Sequence, residues 1–212
     1  MHIGIFGGTF DPPHHGHLAL ASAACQQLKL DCVLWVLTPY PPHKPNQRIT
    51  TLEYRLEMVR AIVEDEPAFE LSRVEIDRPA PHFAVDTLKI LGDRNPGTHL
   101  TYLLGGDSLR DLPLWHQAPK FVRLVDSLGV LRRPNVLADL PALERDLPGL
   151  REKLRFIETP PLQISSTDIR RRIQNNQPYK HLLPAEVYAI IQENGLYFPT
   201  QFKKGKLRNN TE

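Results

Sequence analysis

Cysteine is almost absent from this chain, with Cys25 and Cys32 the only two. Neither has partners at zinc-ligand spacing, so a cysteine-based zinc site is excluded. Cys25 falls in an alanine-rich helical run and Cys32 at the start of a strand pattern, where buried structural thiols are expected. A reducing, cytoplasmic setting fits them. No apolar run approaches the roughly 20 residues of a membrane span. No signal-peptide pattern opens the chain, because Met1 leads directly into a short strand and a glycine turn. A charge excess is lacking too. Lys and Arg number 26 against 24 Asp and Glu, a net charge of +2, so no global basic field argues for nucleic acid. Basic residues do cluster near the end, at Lys203, Lys204, Lys206 and Arg208, and are expected to form a solvated tail. Internal repeats, low-complexity blocks and a convincing linker are missing as well.

What is present is the composition of a globular protein, 41% hydrophobic and 24% charged. At 212 residues the chain fits one domain. That domain is expected over 1–198, with a small C-terminal helical part at about 160–198 and the basic tail at 199–212.

Strand and helix patterns alternate. Strands are expected at His2–Phe6, Val33–Leu37, Leu100–Leu104, Ser127–Leu131 and Arg155–Ile157, with extended chain over Phe69–Ile76. Helical spacing follows Gly16, runs from Leu52 to Val63 and from Phe83 to Leu91, and returns in two closing helices. One of these opens at Ser165-Ser166 and the other runs from Pro184 to Asn194 with Gly195 after it. Thr50-Thr51-Leu52-Glu53 has capping-box spacing. The proline-punctuated stretch Leu137–Leu154 reads as a peripheral helical insertion. The pattern predicts an α/β fold: a doubly wound, Rossmann-like parallel sheet with helices on both faces. Ligands bind such sheets at the C-terminal strand ends, near the point where strand order reverses.

Four segments that could carry chemistry each follow an expected strand. The first is Gly7-Gly8-Thr9-Phe10-Asp11-Pro12-Pro13-His14-His15-Gly16-His17. It lacks the spacing G-x-G-x-x-G and no Gly-Lys-Ser/Thr follows, so it is neither a dinucleotide fingerprint nor a P-loop. Backbone amides of Gly7, Gly8, Thr9 and Phe10, with His14 and His17 at a positive helix end, would cradle phosphate. Zinc ligation by the histidines is disfavoured, since the only nearby carboxylate is Asp11 across two prolines. The second segment, Pro39–Pro45, presents His43 and Lys44 on a proline-stiffened loop that could set a cation against a phosphate. In the third, Gly105-Gly106-Asp107 would let a ligand approach closely, with Asp107 either accepting from a ribose hydroxyl or capping a helix. Trp115, slightly later, could stack on a planar base or sit in the core. The fourth, Ile164-Ser165-Ser166-Thr167-Asp168-Ile169-Arg170, opens a helix whose amides and hydroxyls suit phosphate. Arg170 lies near the first turn, where a cation is unfavourable unless an anion sits beside it. Arg171 and Arg172 are expected to face solvent, and Arg132-Arg133 could add positive charge at the same sheet edge.

The first and fourth segments together resemble the H/T-x-G-H and I-S-S-T-x-I-R motifs of the nucleotidyltransferase superfamily. The Pro-Pro-His-Lys, Gly-Gly-Asp-Ser-Leu and Arg132-Arg133-Pro134 strings, with Trp115, are similar to those of bacterial nicotinate-mononucleotide adenylyltransferases. The resemblance spans residues 1 to about 198. It implies adenylyl transfer from ATP to nicotinate mononucleotide, giving deamido-NAD and pyrophosphate, with Mg2+. It further implies that His14, His17 and Arg170 act on ATP phosphates and that Gly7, Gly8, Thr9, Phe10, Gly105, Asp107, Ile164, Ser165 and Ser166 bind ATP. His43, Lys44, Phe83, Ala84, Trp115 and Arg132 would serve the mononucleotide. Where relatives often carry a Tyr-Thr pair whose amides help bind the nicotinate carboxylate, this chain has Phe83-Ala84, which weakens strict selection of acid over amide.

A nicotinamide-mononucleotide or dual-specificity enzyme is therefore the first alternative, and phosphopantetheine adenylyltransferase the second. A non-catalytic nucleotide-binding module is expected to lack His14, His17 or Arg170, and all three are present. A class I aminoacyl-tRNA synthetase is disfavoured by the chain's length and by the absence of a K-M-S-K-S string. The expected partners are small molecules, without nucleic acid or membrane. The sequence does not decide between a monomer and a homo-oligomer.

Overall fold

The computed structural model describes residues 1–42, 48–132, 139–160 and 164–199. Strands and helices alternate along the chain, beginning with β1 (His2–Gly8), α1 (His15–Leu28), β2 (Cys32–Leu37) and α2 (Leu52–Val63). Then follow β3 (Phe69–Ser72), α3 (Ala84–Arg94), β4 (His99–Gly105), α4 (Gly106–Arg110), α5 (Ala118–Leu124) and β5 (Ser127–Leu131). The described elements end with α6 (Leu140–Asp146), α7 (Leu150–Lys153), β6 (Leu154–Ile157), α8 (Ser166–Gln174) and α9 (Ala185–Glu193).

All strand pairs are parallel, in the order β3-β2-β1-β4-β5-β6. The order reverses between β1 and β4, which leaves a crevice at their C-terminal ends. The central strands are apolar on both faces because helices cover both. Phe6, Trp35 and Leu103 turn to one side and pack with Ala24, Met58, Ile169 and Val187, from α1, α2, α8 and α9. Their neighbours Ile5, Val36 and Tyr102 turn to the other and pack with Leu88, Phe121, Leu143 and Leu150, from α3, α5, α6 and α7. The C-terminal helices thus share the core of α1 and α2. The insertion after β5 is helical where it is described. Of the tail, only Pro199 lies within the described residues.

Four local expectations need correction. The Thr50–Glu53 capping box does not form. α2 is preceded by Thr51 without a side-chain cap bond, because Thr50 is engaged elsewhere: its N–H donates to Asp11 Oδ2 (3.3 Å) and its carbonyl accepts from Arg55 Nε (2.8 Å). β3 stops at Ser72, where a turn closed by Asp77 N–H on Arg73 C=O (2.9 Å) takes over. Asp107 is not a helix cap. Gly105 holds that place and Asp107 falls in the first turn of α4. Both thiols are half-buried rather than buried. Burial and nearby carboxylates still push Cys32 up to about 11, leaving it a poor nucleophile at neutral pH.

Candidate active site

A cleft of about 690 Å³ opens at the C-terminal ends of the central strands, where the strand order reverses. One half is walled by Gly7, Gly8, Thr9, Phe10, His14, His17, Ile164, Ser165, Ser166 and Arg170. The other half is walled by Phe83, Ala84, Gly105, Asp107 and Trp115. Fifteen positions singled out from the sequence therefore converge on one cavity.

The first half is built from the turn between β1 and α1. A Cβ on Gly7 would overlap the Tyr102 hydroxyl, and one on Gly8 would lie 2.8 Å from the Phe10 ring. These glycines are needed for packing inside the protein. Phe10 adopts a left-handed backbone (φ 47°), uncommon for a bulky residue. That conformation is held by burying its ring against Phe6 (5.4 Å) and Trp35 (5.1 Å). The chain then reaches His14, the N-cap of α1, with His17 in its first turn. Both imidazoles lie at the helix's positive end, as the sequence predicts. The rings stack at 3.7 Å, and His17 Nδ1 accepts from the His14 backbone N–H (3.2 Å). An accepting Nδ1 leaves a neutral His17 with its proton on Nε2, as a donor.

Several side-chain bonds fix this turn to the rest of the fold. Arg170 Nη1 donates to the Asp11 carbonyl (2.6 Å), and Ser166 Oγ donates to the Pro12 carbonyl (2.8 Å). The Asp11 carboxylate, itself buried, accepts from Tyr197 OH (2.7 Å). Arg55, only 2% exposed, donates to the carbonyls of Thr9 (3.0 Å), Thr38 (2.8 Å), Pro39 (2.8 Å) and Thr50 (2.8 Å). The sequence reading missed Arg55 and Tyr197. The available signal for Arg55 was its spacing: it lies one helical turn before Val59, on the stripe that faces the core. Ser165 caps α8 by accepting from Asp168 N–H (3.1 Å), as its spacing predicts. Arg171 faces solvent as expected, Arg172 is partly covered, and both pair with Asp168.

The second half is aromatic. Trp115 packs edge-to-face on Tyr102 (6.0 Å) and Phe121 (5.2 Å), so it is a core aromatic on one side and a cleft wall on the other. Phe83 stacks on His116 at 4.0 Å. Glu75, unremarked in the sequence, lies buried in the cleft wall and accepts from Thr87 Oγ1 (2.6 Å). Burial raises its carboxyl above the ordinary range despite Thr87, Thr38 and Arg78.

Two expected groups are not brought in. Arg132 is exposed and does not line the cleft. Its guanidinium lies over the Phe156 ring (4.8 Å) and within 4.0 Å of Glu158, because β6 places both beside the end of β5. His43, Lys44 and Arg133 lie outside the described residues. Pro42, Arg48 and Ile49 on either side of the first two line the cleft. Among the described residues no group of three or more His, Cys, Asp and Glu could hold a metal. No described helix is long and apolar enough to cross a membrane.

Comparison with known proteins places these features in a family. Residues 5–172 match the cytidylyltransferase-like family. A probable nicotinate-nucleotide adenylyltransferase of Roseiflexus sp. (strain RS-1) is 43% identical over 195 residues, covering 92% of this chain and 97% of that protein. The nicotinate-nucleotide adenylyltransferase of Bacillus subtilis (strain 168) is 36% identical over 195 residues, again 92% of this chain and 97% of the relative. The fold is shared with the Plasmodium falciparum nicotinic acid mononucleotide adenylyltransferase complexed with NaAD. That structure aligns with a TM-score of 0.78 at 20% identity, over 92% of this chain and 97% of the other.

Proposed function

The chain belongs to the cytidylyltransferase-like family, and we propose that it transfers the adenylyl group of ATP to nicotinate mononucleotide, giving deamido-NAD and pyrophosphate. The observation that carries this reading is the meeting of the two phosphate-suited helix starts at one sheet edge. Ser166 and Arg170 from α8 bond directly to the Pro12 and Asp11 carbonyls of the turn that leads into α1. The relatives' names support the choice of acceptor.

In this reaction the mononucleotide's 5′-phosphate oxygen attacks the α-phosphorus. The bond from that phosphorus to the bridging oxygen breaks, and pyrophosphate leaves. No covalent enzyme intermediate is needed, so the protein's part is positioning and charge stabilisation. His17, held as a donor through Nε2, and His14 beside it meet phosphate oxygens as negative charge moves toward the leaving group. Ser165, Ser166 and Arg170 hold the β- and γ-phosphates at the start of α8. Backbone groups of Gly7 to Phe10, with Gly105 and Asp107, receive the nucleoside. Trp115 and the start of α3 at Phe83 and Ala84 receive the pyridine. Mg2+ would arrive with ATP as part of the substrate. It would neutralise phosphate charge there.

Pyrophosphate release is measured with ATP, Mg2+ and, in separate reactions, nicotinate mononucleotide, its amide or phosphopantetheine. Release with nicotinate mononucleotide is expected to dominate. Release only with phosphopantetheine, or with none of them, overturns the proposal.

A further inference from the structure

Tyr197 lies beyond α9, 186 positions after Asp11, and its hydroxyl donates to Asp11 Oδ1 (2.7 Å). The other carboxylate oxygen, Oδ2, accepts from the Thr50 N–H (3.3 Å). Two segments distant in sequence thus hold one carboxylate. Burial and the Asp11 charge push the Tyr197 hydroxyl well above the ordinary phenol range, which keeps it protonated and a donor. The Tyr197 backbone is left-handed (φ 66°), and so is that of Phe10, the residue before Asp11 (φ 47°). Bulky residues rarely adopt this conformation, and it persists where surrounding packing over-determines it. Both examples here meet at Asp11.

Asp11 is 4% exposed and lines the cleft, whereas Tyr197 does not line it. The side chain of Asp11 is anchored by Tyr197 and Thr50, while its main chain faces α8. Arg170 Nη1 donates to the Asp11 carbonyl (2.6 Å), and Ser166 Oγ donates to the next carbonyl, that of Pro12 (2.8 Å). Both of these α8 side chains line the cleft. A guanidinium is a planar fork, so a bond from one nitrogen sets the direction of its remaining donors. The place of the Asp11 carbonyl therefore decides where the rest of Arg170 points. A buried carboxylate is costly unless its oxygens are bonded. Losing the Tyr197 donor would leave Oδ1 unsatisfied and let Asp11 shift, together with the carbonyl on which Arg170 leans.

We propose that Tyr197 is a positioning residue for ATP: its hydroxyl fixes the Asp11 carboxylate and, through the Asp11 carbonyl, sets the direction in which Arg170 meets the nucleotide's phosphates. The inference rests on the adenylyltransferase reading, in which Arg170 holds the β- and γ-phosphates. Tyr197 itself touches neither substrate. Its effect travels from Oη through Asp11 to Arg170, so it falls on ATP and disappears once Arg170 is gone. Phe83, Ala84 and Trp115, which wall the mononucleotide half, take no part in these bonds. The mononucleotide is therefore unaffected.

The test is a double-mutant cycle on ATP affinity, read as Kd by calorimetry with Mg2+ and as KM and kcat in steady state. Tyr197→Phe removes only the hydroxyl. It should raise Kd and KM for ATP about tenfold and leave KM for nicotinate mononucleotide within about twofold of wild type. In an Arg170→Ala background the same change should cost less than about twofold, because the contact it positions is already lost. Equal losses for both substrates, losses that multiply in the double variant, or unchanged ATP affinity in Tyr197→Phe overturns the proposal. If Tyr197→Phe does not fold, Asp11→Asn takes its place in the cycle. One of the two donors, Tyr197 or Thr50, then faces an NH₂ instead of an oxygen, and the outcomes are read in the same way. A wild-type protein that binds no ATP overturns both the proposal and the adenylyltransferase reading. ATP binding with the expected coupling, but no pyrophosphate release with any acceptor, overturns adenylyl transfer alone and leaves Tyr197 in its role.

Discussion

Arg170 Nη1 lies 2.6 Å from the carbonyl oxygen of Asp11, a residue 159 positions earlier in the chain. That bond joins the helix start of α8 to the turn before α1, where Arg170 lines the cleft. Arg170→Ala should lower kcat/KM for ATP about 100-fold, through lost phosphate contact and a loosened turn. Arg170→Lys keeps the charge but not the planar fork, so it should recover only part of the loss. Steady-state kinetics in ATP decides this, and an Ala variant with normal kcat/KM removes Arg170 from the site.

His17 is half-buried, packed on the His14, Phe6 and Phe10 rings and lining the cleft, so its removal should be felt in chemistry more than in folding. His17→Ala is expected to lower kcat by roughly 100-fold or more, with an unchanged far-UV circular dichroism spectrum. Unaltered turnover would mean that its Nε2 donor does not meet the moving charge.

Arg55 never touches the cleft, yet its guanidinium bonds the carbonyls of four residues in three separate segments. Arg55→Ala removes this shared donor and leaves the buried bond to the Pro39 carbonyl unmade. Urea denaturation should show a loss of about 3 kcal/mol or more. Arg55→Lys, with fewer donors in a different geometry, should remain less stable than wild type.

Glu75 makes stability depend on pH in a direction opposite to most carboxylates. Its folded-state range is raised, so the folded chain binds a proton at pH values where the unfolded chain has released it. Stability from this group should fall as pH rises from the ordinary carboxylate range through the raised one, and stay low above it. Glu75→Gln keeps an oxygen for Thr87 and removes the buried charge. Its thermal midpoint should exceed that of wild type at neutral and mildly alkaline pH, and the gap should close on acidification. A gap that is constant with pH would show that Glu75 is not the titrating group.

Much of this architecture was legible in the sequence because the relevant signals are local. The apolar runs at Val33–Leu37 and Ser127–Leu131 are long enough to name strands, and the alternation with helical spacing implies a parallel sheet. The turn from Gly7 to His17 carries its own helix start, and Ser165 caps α8 as its spacing to Asp168 predicts. The illegible parts depend on partners distant in sequence. Thr50 has the spacing of a cap, but Asp11 and Arg55 claim its backbone groups. Arg132 is a cation at a strand end, but the neighbouring strand supplies Phe156 and Glu158.

The sequence by itself determined the order of the elements, the two phosphate-suited helix starts and the residues they present. These follow from side-chain periodicity, capping chemistry and turn propensity within a few positions. Only the tertiary structure decided that β1 and β4 lie side by side, and that Arg170 therefore reaches Asp11. It also buried Arg55, Glu75 and His82, polar side chains that no local pattern places inside. Burial is set by everything that packs around a residue, and no short window of sequence contains that.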